Sequence, residues 1–344
     1  MLPRPQQQNG EGELNNGTRF DITGIGNAIV DVVARADDSF LSRHNMRKGR
    51  MVLIDAEEAI GLYSAMPPGQ ESSGGSAANT CAVAAMLGAR VAYMGKVAAD
   101  QLGGVFGHDI TAAGVHFPTP PLAEGAPTAR CLILVTPDGQ RTMNTFLGAC
   151  LAFGEDDVDT DVIAAYSVTY LEGYLFDPPA AQAAFRFAGR AAHAAGRQVA
   201  LSLSDPFCVD RHRNAFRALL REEVDILFAN EAEVTSLYEV NSFEEAVGAA
   251  RHEVKLACLT RSEDGSVIVH GNETIEVKAA PASVLDTTGA GDAYAAGFLV
   301  AHTRGLDLAE CGRIASAAAA EVIGQIGARP RPGLAERIKV RPAA

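Results

Sequence analysis

Asp286-Thr287-Thr288-Gly289-Ala290-Gly291-Asp292, near the C-terminal end of a 344-residue chain, decides how the rest is read. It follows Val284 and Leu285 and runs into Ala293-Tyr294-Ala295-Ala296-Gly297-Phe298-Leu299-Val300, which reads as a buried helix. Small residues at the mouth of a helix leave backbone N–H groups unpaired and unobstructed, and the positive end of the helix dipole faces the same way. Such a turn binds anions. A carboxylate at its end, Asp292, is out of place if the turn only holds phosphate. It fits if a phosphoryl group is transferred there and something must orient the attacking hydroxyl.

Working outward, the stretch after Gly154 alternates regularly. Helix 155–165 leads to strand 167–171, helix 179–195 to strand 198–203, and helix 209–221 to strand 225–228, with a further strand at 255–259. That order predicts an α/β fold, a mostly parallel sheet with helices on both faces. Ligands of such sheets lie beyond the carboxyl ends of the strands. Glu172-Gly173-Tyr174, Ser204-Asp205, Asn230-Glu231-Ala232-Glu233 and Thr260-Arg261-Ser262 all fall at such ends, and the Asp286 turn joins them.

The N-terminal third is less regular. Strand 20–26 ends in glycines, and Asn27 and Asp31 follow among β-branched residues. They are either turn and edge residues or hydrogen-bonding groups aimed at a polyol, since a carboxylate that accepts from adjacent hydroxyls reads a ribose. Helix 55–66 stops at Pro67-Pro68-Gly69, and Ser73-Gly74-Gly75-Ser76-Ala77-Ala78-Asn79-Thr80 opens another helix, with Ser76 as N-cap and Gly88 as its stop. This entry is either a tight connection or a second place where backbone amides and Asn79 approach a ligand. Strand 90–97 and helix 101–113 follow. Between 115 and 145 the pattern becomes short β-like runs broken by prolines, and 130–135 and 141–146 flank the Asp138-Gly139 turn as a hairpin. With residues near 28–54, this insert, about 115–147, reads as a small sheet covering one edge of the main domain. Arg141, just after the turn, is either a surface arginine or a phosphate clamp.

Composition sets the outer limits. Apolar residues make up 47% and charged residues 21%, ordinary for a globular enzyme. A net charge of -13 argues against nucleic acid as a partner, which needs a basic face. Six scattered cysteines with no C-x-x-C pair read as core residues of a reducing compartment. No apolar run approaches the ~18 residues a membrane span needs. Residues 1–18 are polar and read as a disordered lead-in, so the expected location is cytoplasmic. The oligomeric state stays open between monomer and homodimer.

Other chemistries lack their marks. There is no G-x-x-x-x-G-K-[ST], no third glycine after Gly24-Ile25-Gly26 or Gly289-Ala290-Gly291, no G-x-S-x-G and no H-E-x-x-H. A helix-entry anion hole with an aspartate remains. The amides of Gly289 to Asp292 would hold the terminal phosphate of ATP, and the helix terminus would keep Asp292 ionised to take the acceptor's proton. Asn230 and Glu233, one turn apart, suit Mg2+ held through water rather than a direct carboxylate cage.

These stretches resemble the ribokinase-like (PfkB) carbohydrate and nucleoside kinases. The Asp286–Asp292 stretch looks like that family's C-terminal signature, Gly74-Gly75-Ser76-Ala77-Ala78-Asn79 its N-terminal glycine motif, and Asn230-x-x-Glu233 its Mg2+-phosphate motif, in the same order over about 20–329. The resemblance implies a three-layer α/β/α kinase domain over 19–335 with a small β-sheet lid. It implies that Asp292 is the catalytic base, that Gly289, Ala290 and Gly291 form the anion hole, and that Asn27, Asp31, Gly75, Ser76 and Asn79 serve the acceptor. Thr260, Gly265 and Thr287 then belong to the ATP site, although Ser262 stands where glycine is usual. A K+ ion held through backbone carbonyls near Asp286, Thr288 and the 323–327 segment, Gly327 included, is a further implication. Gly26-Asn27-Ala28-Ile29-Val30-Asp31, Arg141-Thr142-Met143-Asn144 and Glu172-Gly173-Tyr174-Leu175-Phe176 look like the adenosine kinase branch. There Arg141 would meet the transferring phosphate, and Phe146, Tyr174 and Phe176 would flank a purine or fill the core. A small-molecule nucleoside is the expected acceptor, with ribose, fructose or a keto-deoxy sugar acid as the alternative.

Overall fold

The computed structural model describes residues 20–340, so the expected lead-in at 1–18 lies outside the described residues. Within them the strands are β1 (Phe20–Ile25), β2 (Ile29–Arg35), β3 (Met51–Leu53), β4 (Gln70–Gly74), β5 (Val91–Met94), β6 (Val115–His116) and β7 (Ala129–Val135). Next come β8 (Arg141–Phe146), β9 (Tyr166–Glu172), β10 (Gln198–Ser202), β11 (Ile226–Asn230), β12 (Leu256–Thr260), β13 (Ser266–His270) and β14 (Glu273–Val277). Nine form the main sheet, in the order β14-β13-β12-β11-β10-β9-β1-β5-β6. From β6 to β12 every pairing is parallel. The β13–β14 edge hairpin is antiparallel and had no place in the sequence reading.

Both faces of the sheet are covered, and alternate residues show it. Ala200, Ile226, Phe228 and Cys258 pack toward the helices Ser76–Met86, Gln101–Ala112, Ala290–Thr303 and Leu308–Ile323. Val199, Leu201, Leu227 and Leu259 pack toward Pro179–Ala194, Pro206–Glu222, Glu231–Tyr238 and Phe243–Glu253. This period of two is what a strand buried on both faces produces, and it gives the expected three-layer α/β/α arrangement. Phe298, fully buried, meets Phe228 edge-on at 5.6 Å and ties the Ala290–Thr303 helix to the sheet. Truncating it to alanine would cost about 3–5 kcal/mol.

Five strands form a second sheet, in the order β3-β8-β7-β2-β4. Its extent differs from the expected segments in two places. Gln70–Gly74 joins as an edge strand against β2, whereas Val115–His116 pairs with β5 in the main sheet. The Asp138-Gly139 turn forms as expected, with Gly139 at φ +82°. The helix expected over 155–165 is broken: Glu155–Asp157 is a 3-10 turn, and Asp159 caps a new helix, Thr160–Ala165.

Side-chain oxygens start most helices. Asp55, Asp100, Asp159, Asp205, Ser242 and Asp307 each accept from a first-turn N–H. The helices Ser76–Met86 and Ala290–Thr303 differ: their N-caps are Gly75 and Gly289, without a side-chain bond. Ser76 is thus the first helical residue and not the N-cap, because Gly75 at φ +96° makes the turn. The strand order reverses beside β1, and these two helices open toward the same end of the sheet.

Candidate active site

At the reversal, the exits of β1 and β9 face each other. The Glu172 carboxylate accepts from the backbone N–H and side-chain NH2 of Asn27, at 3.2 and 2.8 Å, and from Ala77 N–H at 2.7 Å. Gly26 admits it, since a Cβ there would lie 2.3 Å from Glu172 Oε2. Burial pushes the Glu172 carboxyl up to about 7, against the pull of those three donors. In sequence it marks a strand end and opens a branch-like stretch, with no role of its own. Its partners lie 95 and 145 positions away, so no local pattern announces it.

The two glycine-capped helices meet side by side. Ser76 Oγ donates to Asp292 Oδ1 at 2.6 Å, joining positions 216 apart. Burial raises the Asp292 carboxyl to about 6, opposed by hydrogen bonds from Ser76 and Asn79 and by the charge of Arg329. Asp31, on β2, rises to about 6 for the same reason, opposed by Arg329 and Arg141. Gly74 makes room for it, because a Cβ there would lie 2.5 Å from Asp31 Cγ.

The entry at 286–292 leaves backbone donors unpaired. Gly289 has φ +78°, and a Cβ on it would strike Ala328. Gly291 has neither constraint: a Cβ there would meet nothing within 4 Å. The first regular helical bond runs from Ala293 N–H to Gly289 O, and Ala290 N–H turns back to Thr287 O. Among the described residues the N–H groups of Gly291 and Asp292 have no acceptor, the two unpaired donors that a phosphate-binding helix end needs. From the second sheet, Arg141 Nη1 donates to Asp286 Oδ2 at 2.8 Å and to Thr288 Oγ1 at 3.1 Å. Its Nε is buried without a partner, a donor left over beside the anion turn.

The Asp286 carboxylate is committed to the protein's own donors. Asp286 already accepts from Arg141, from Thr288 N–H and Oγ1, and from Gly327 N–H. Burial would raise its carboxyl, but these bonds and the Arg141 charge hold it below its ordinary value.

Asn230 and Glu233 form a reciprocal capping box. Asn230 N–H and Nδ2 donate to the two Glu233 oxygens at 2.9 and 2.7 Å, and Glu233 N–H returns to Asn230 Oδ1 at 2.9 Å. Each carboxylate oxygen retains a lone pair for a water donor, so the pair suits Mg2+ through water and not as a direct cage. Burial lifts the Glu233 carboxyl to about 7. Among the described residues no cluster of three or more His, Cys, Asp or Glu is arranged to hold a metal. Thr260 ends β12 opposite Asn230 on the same rim, and Thr287 is exposed one residue beyond Asp286. Gly265 has its own backbone reason, with φ +87° and Val277 O only 2.0 Å from where a Cβ would sit. Ser262, where glycine was expected, does adopt the left-handed region at φ +50°.

The aromatic expectations divide. Tyr174 is partly exposed on the turn after β9, at the rim. Phe176 is fully buried and stacked on Phe216 at 4.3 Å, a core residue. Phe146 pairs with Arg130, whereas Asp31 and Arg141 belong to the other alternation of the second sheet. Its ring therefore projects from the opposite face, 6.0 Å from the Arg130 guanidinium.

A domain model described as the pfkB family of carbohydrate kinases matches residues 61–333. The chain belongs to that family and is an ATP-dependent kinase with a ribokinase-like fold. The crystal structure of an adenosine kinase from Sinorhizobium meliloti is 54% identical, covering 93% of this chain and 99% of that one, with a TM-score of 0.86. A protein from Rhizobium etli CFN 42 named "probable sugar kinase" is 51% identical, covering 94% and 98%, also at 0.86. Adenosine kinase of Saccharomyces cerevisiae is 27% identical over 307 residues, covering 83% of this chain and 89% of its own. No described helix is long and apolar enough to cross a membrane.

Proposed function

We propose that the chain transfers the γ-phosphoryl group of ATP to the 5′-hydroxyl of a nucleoside, adenosine in the first instance. The observation that carries this reading is the meeting of Asp292 with Ser76 and Asn79, where an open anion entry adjoins a set of polyol-binding groups. The similarity to the Sinorhizobium adenosine kinase supports the choice of acceptor. Asn27, Asp31, Gly75 and Asn79 hold the ribose hydroxyls. Gly289, Ala290 and Gly291 hold the γ-phosphate. As the 5′-oxygen bonds to phosphorus and the bond to ADP breaks, the hydroxyl proton passes to Asp292. Asp292 is ionised above about pH 6, so transfer at neutral pH needs no further base. Arg141 leaves Asp286 for the transferring phosphoryl group and brings the second sheet down as a lid. Asn230 and Glu233 hold Mg2+ through water, which neutralises phosphate charge, and Thr260, Gly265 and Thr287 line the ATP side.

A sugar kinase of the same fold is the second reading. It is favoured by the Rhizobium relative's name and by Phe146 and Phe176 lying away from the acceptor. A panel of adenosine, other nucleosides, ribose, fructose and a keto-deoxy sugar acid, scored by ADP release, separates the two. Adenosine is expected to give the highest kcat/KM; turnover on ribose or fructose with none on adenosine would sink the nucleoside reading.

A further inference from the structure

Arg329 lies beyond the Leu308–Ile323 helix, and its guanidinium reaches three other elements. Nε donates to Asn79 Oδ1 at 3.0 Å, Nη2 to Ser73 O at 2.6 Å and Ser73 Oγ at 2.9 Å, and Nη1 to Asp109 Oδ2 at 3.3 Å. Ser73 in turn donates to Asp109 through its N–H and its hydroxyl, at 2.8 and 2.5 Å, so the far end of the arginine is anchored. A planar guanidinium with donors in fixed directions imposes orientation on what it touches.

What it orients is an amide with two unlike ends. Nε–H holds the oxygen of Asn79, and the NH2 end then serves the Asp292 carboxylate. Flipping the amide would set oxygen against carboxylate and NH2 against guanidinium, two repulsive contacts at once. The charge acts in the same direction. Asp292 is faced by Asp31 from β2, by Tyr170 and Glu172 from β9, by Tyr174 from the turn beyond, and by Arg329, the one cation in that set.

We propose that Arg329 is a positioning residue for phosphoryl transfer, fixing the Asn79 amide so that its NH2 faces Asp292 and supplying the positive charge that keeps this carboxylate ready to accept a proton. The inference rests on Asp292 being the base. It predicts two separable effects, one of geometry and one of charge.

The test compares the wild type with Arg329→Met, Arg329→Lys and Asp292→Asn, using the best acceptor of the panel and saturating MgATP, with Tm measured in parallel. Arg329→Met is expected to lower kcat by about 10–100-fold with a smaller change in acceptor KM. It should also move the acidic limb of the kcat/KM profile to higher pH, since removing a cation raises a carboxyl pKa. Arg329→Lys keeps the charge but not the fork, so kcat should fall about tenfold while the limb stays in place. If the Met variant does not fold, the Lys variant decides alone: unchanged kcat at unchanged Tm overturns the proposal. So does a Met variant that folds with an unmoved limb, which would leave Arg329 a structural clip. Asp292→Asn keeps the two claims apart. If it retains turnover, the base assignment itself fails; if it is inactive while both Arg329 variants match the wild type, only this inference falls.

Discussion

The two glycine-capped helix entries, at 75–79 and 289–292, look alike in sequence and differ in what they do with their N–H groups. At the first, Ala77 N–H is bonded to the buried Glu172 carboxylate. At the second, the N–H groups of Gly291 and Asp292 have no acceptor among the described residues. One positive helix end is satisfied by an anion of the protein, and the other is not. A glycine-rich helix entry is therefore not by itself a phosphate site; what matters is whether the fold already supplies the anion.

Removing Asp292 from the open entry should have the largest effect. Asp292→Asn is expected to lower kcat by about 10²–10⁴-fold while acceptor binding, followed by calorimetry, stays nearly unchanged. Retention of more than a few per cent of activity would remove it as base. Next comes obstruction of the open entry. Gly291→Val adds a side chain where the protein has nothing within 4 Å. Its Tm should therefore stay close to that of the wild type while turnover falls about 100-fold. A fully active valine variant would break the contrast between the entries.

The closed entry should respond in the opposite way. Gly75 has φ +96°, and a Cβ would lie 2.1 Å from Asn27 O. Gly75→Ala is thus expected to cost about 2–4 kcal/mol of stability by denaturant unfolding. A neutral result would mean that this turn is looser than the geometry implies.

The smallest effect concerns pH. Glu172 titrates near 7 and Asp292 near 6 in the folded chain, above their ordinary 4.5 and 3.8. Between those values the native state binds more protons than the unfolded chain, so their contribution falls as pH rises from about 4 to 7. Each carboxyl should cost on the order of 1–3 kcal/mol at pH 8 relative to pH 5, Glu172 more than Asp292. Thermal unfolding should accordingly give a higher Tm near pH 5 than at pH 8, and Asp292→Asn should narrow the gap. A Tm that climbs steadily to pH 8 would show that neither carboxyl is raised.

Local signals explain which parts were legible in sequence. The 286–292 turn announced itself because glycine positions, a carboxylate and a buried helix are contiguous. Asn230 and Glu233 were found as a pair, being one turn apart. Glu172 at Asn27 and Arg329 at Asn79 join positions 145 and 250 apart, and nothing near either residue marks its partner. For Phe146 the sequence left two readings open although the deciding signal was present: five residues from Arg141 along one strand, it has to face the other way. The edge hairpin was missed despite the Gly271-Asn272 turn between its strands. The contact of Arg141 from the second sheet with Asp286, 145 positions away, is likewise encoded by no motif.

The Ser76–Asp292 bond spans 216 positions and carries a consequence for synthesis. Residues 20–280 can supply the strands of both sheets and most of the acceptor groups before the Ala290–Thr303 helix has left the ribosome. Until that helix and Arg329 dock, the nascent chain lacks both the open helix entry and the carboxylate proposed as base. On the proposed mechanism, competence arrives only when residues 286–329 join strands made long before them.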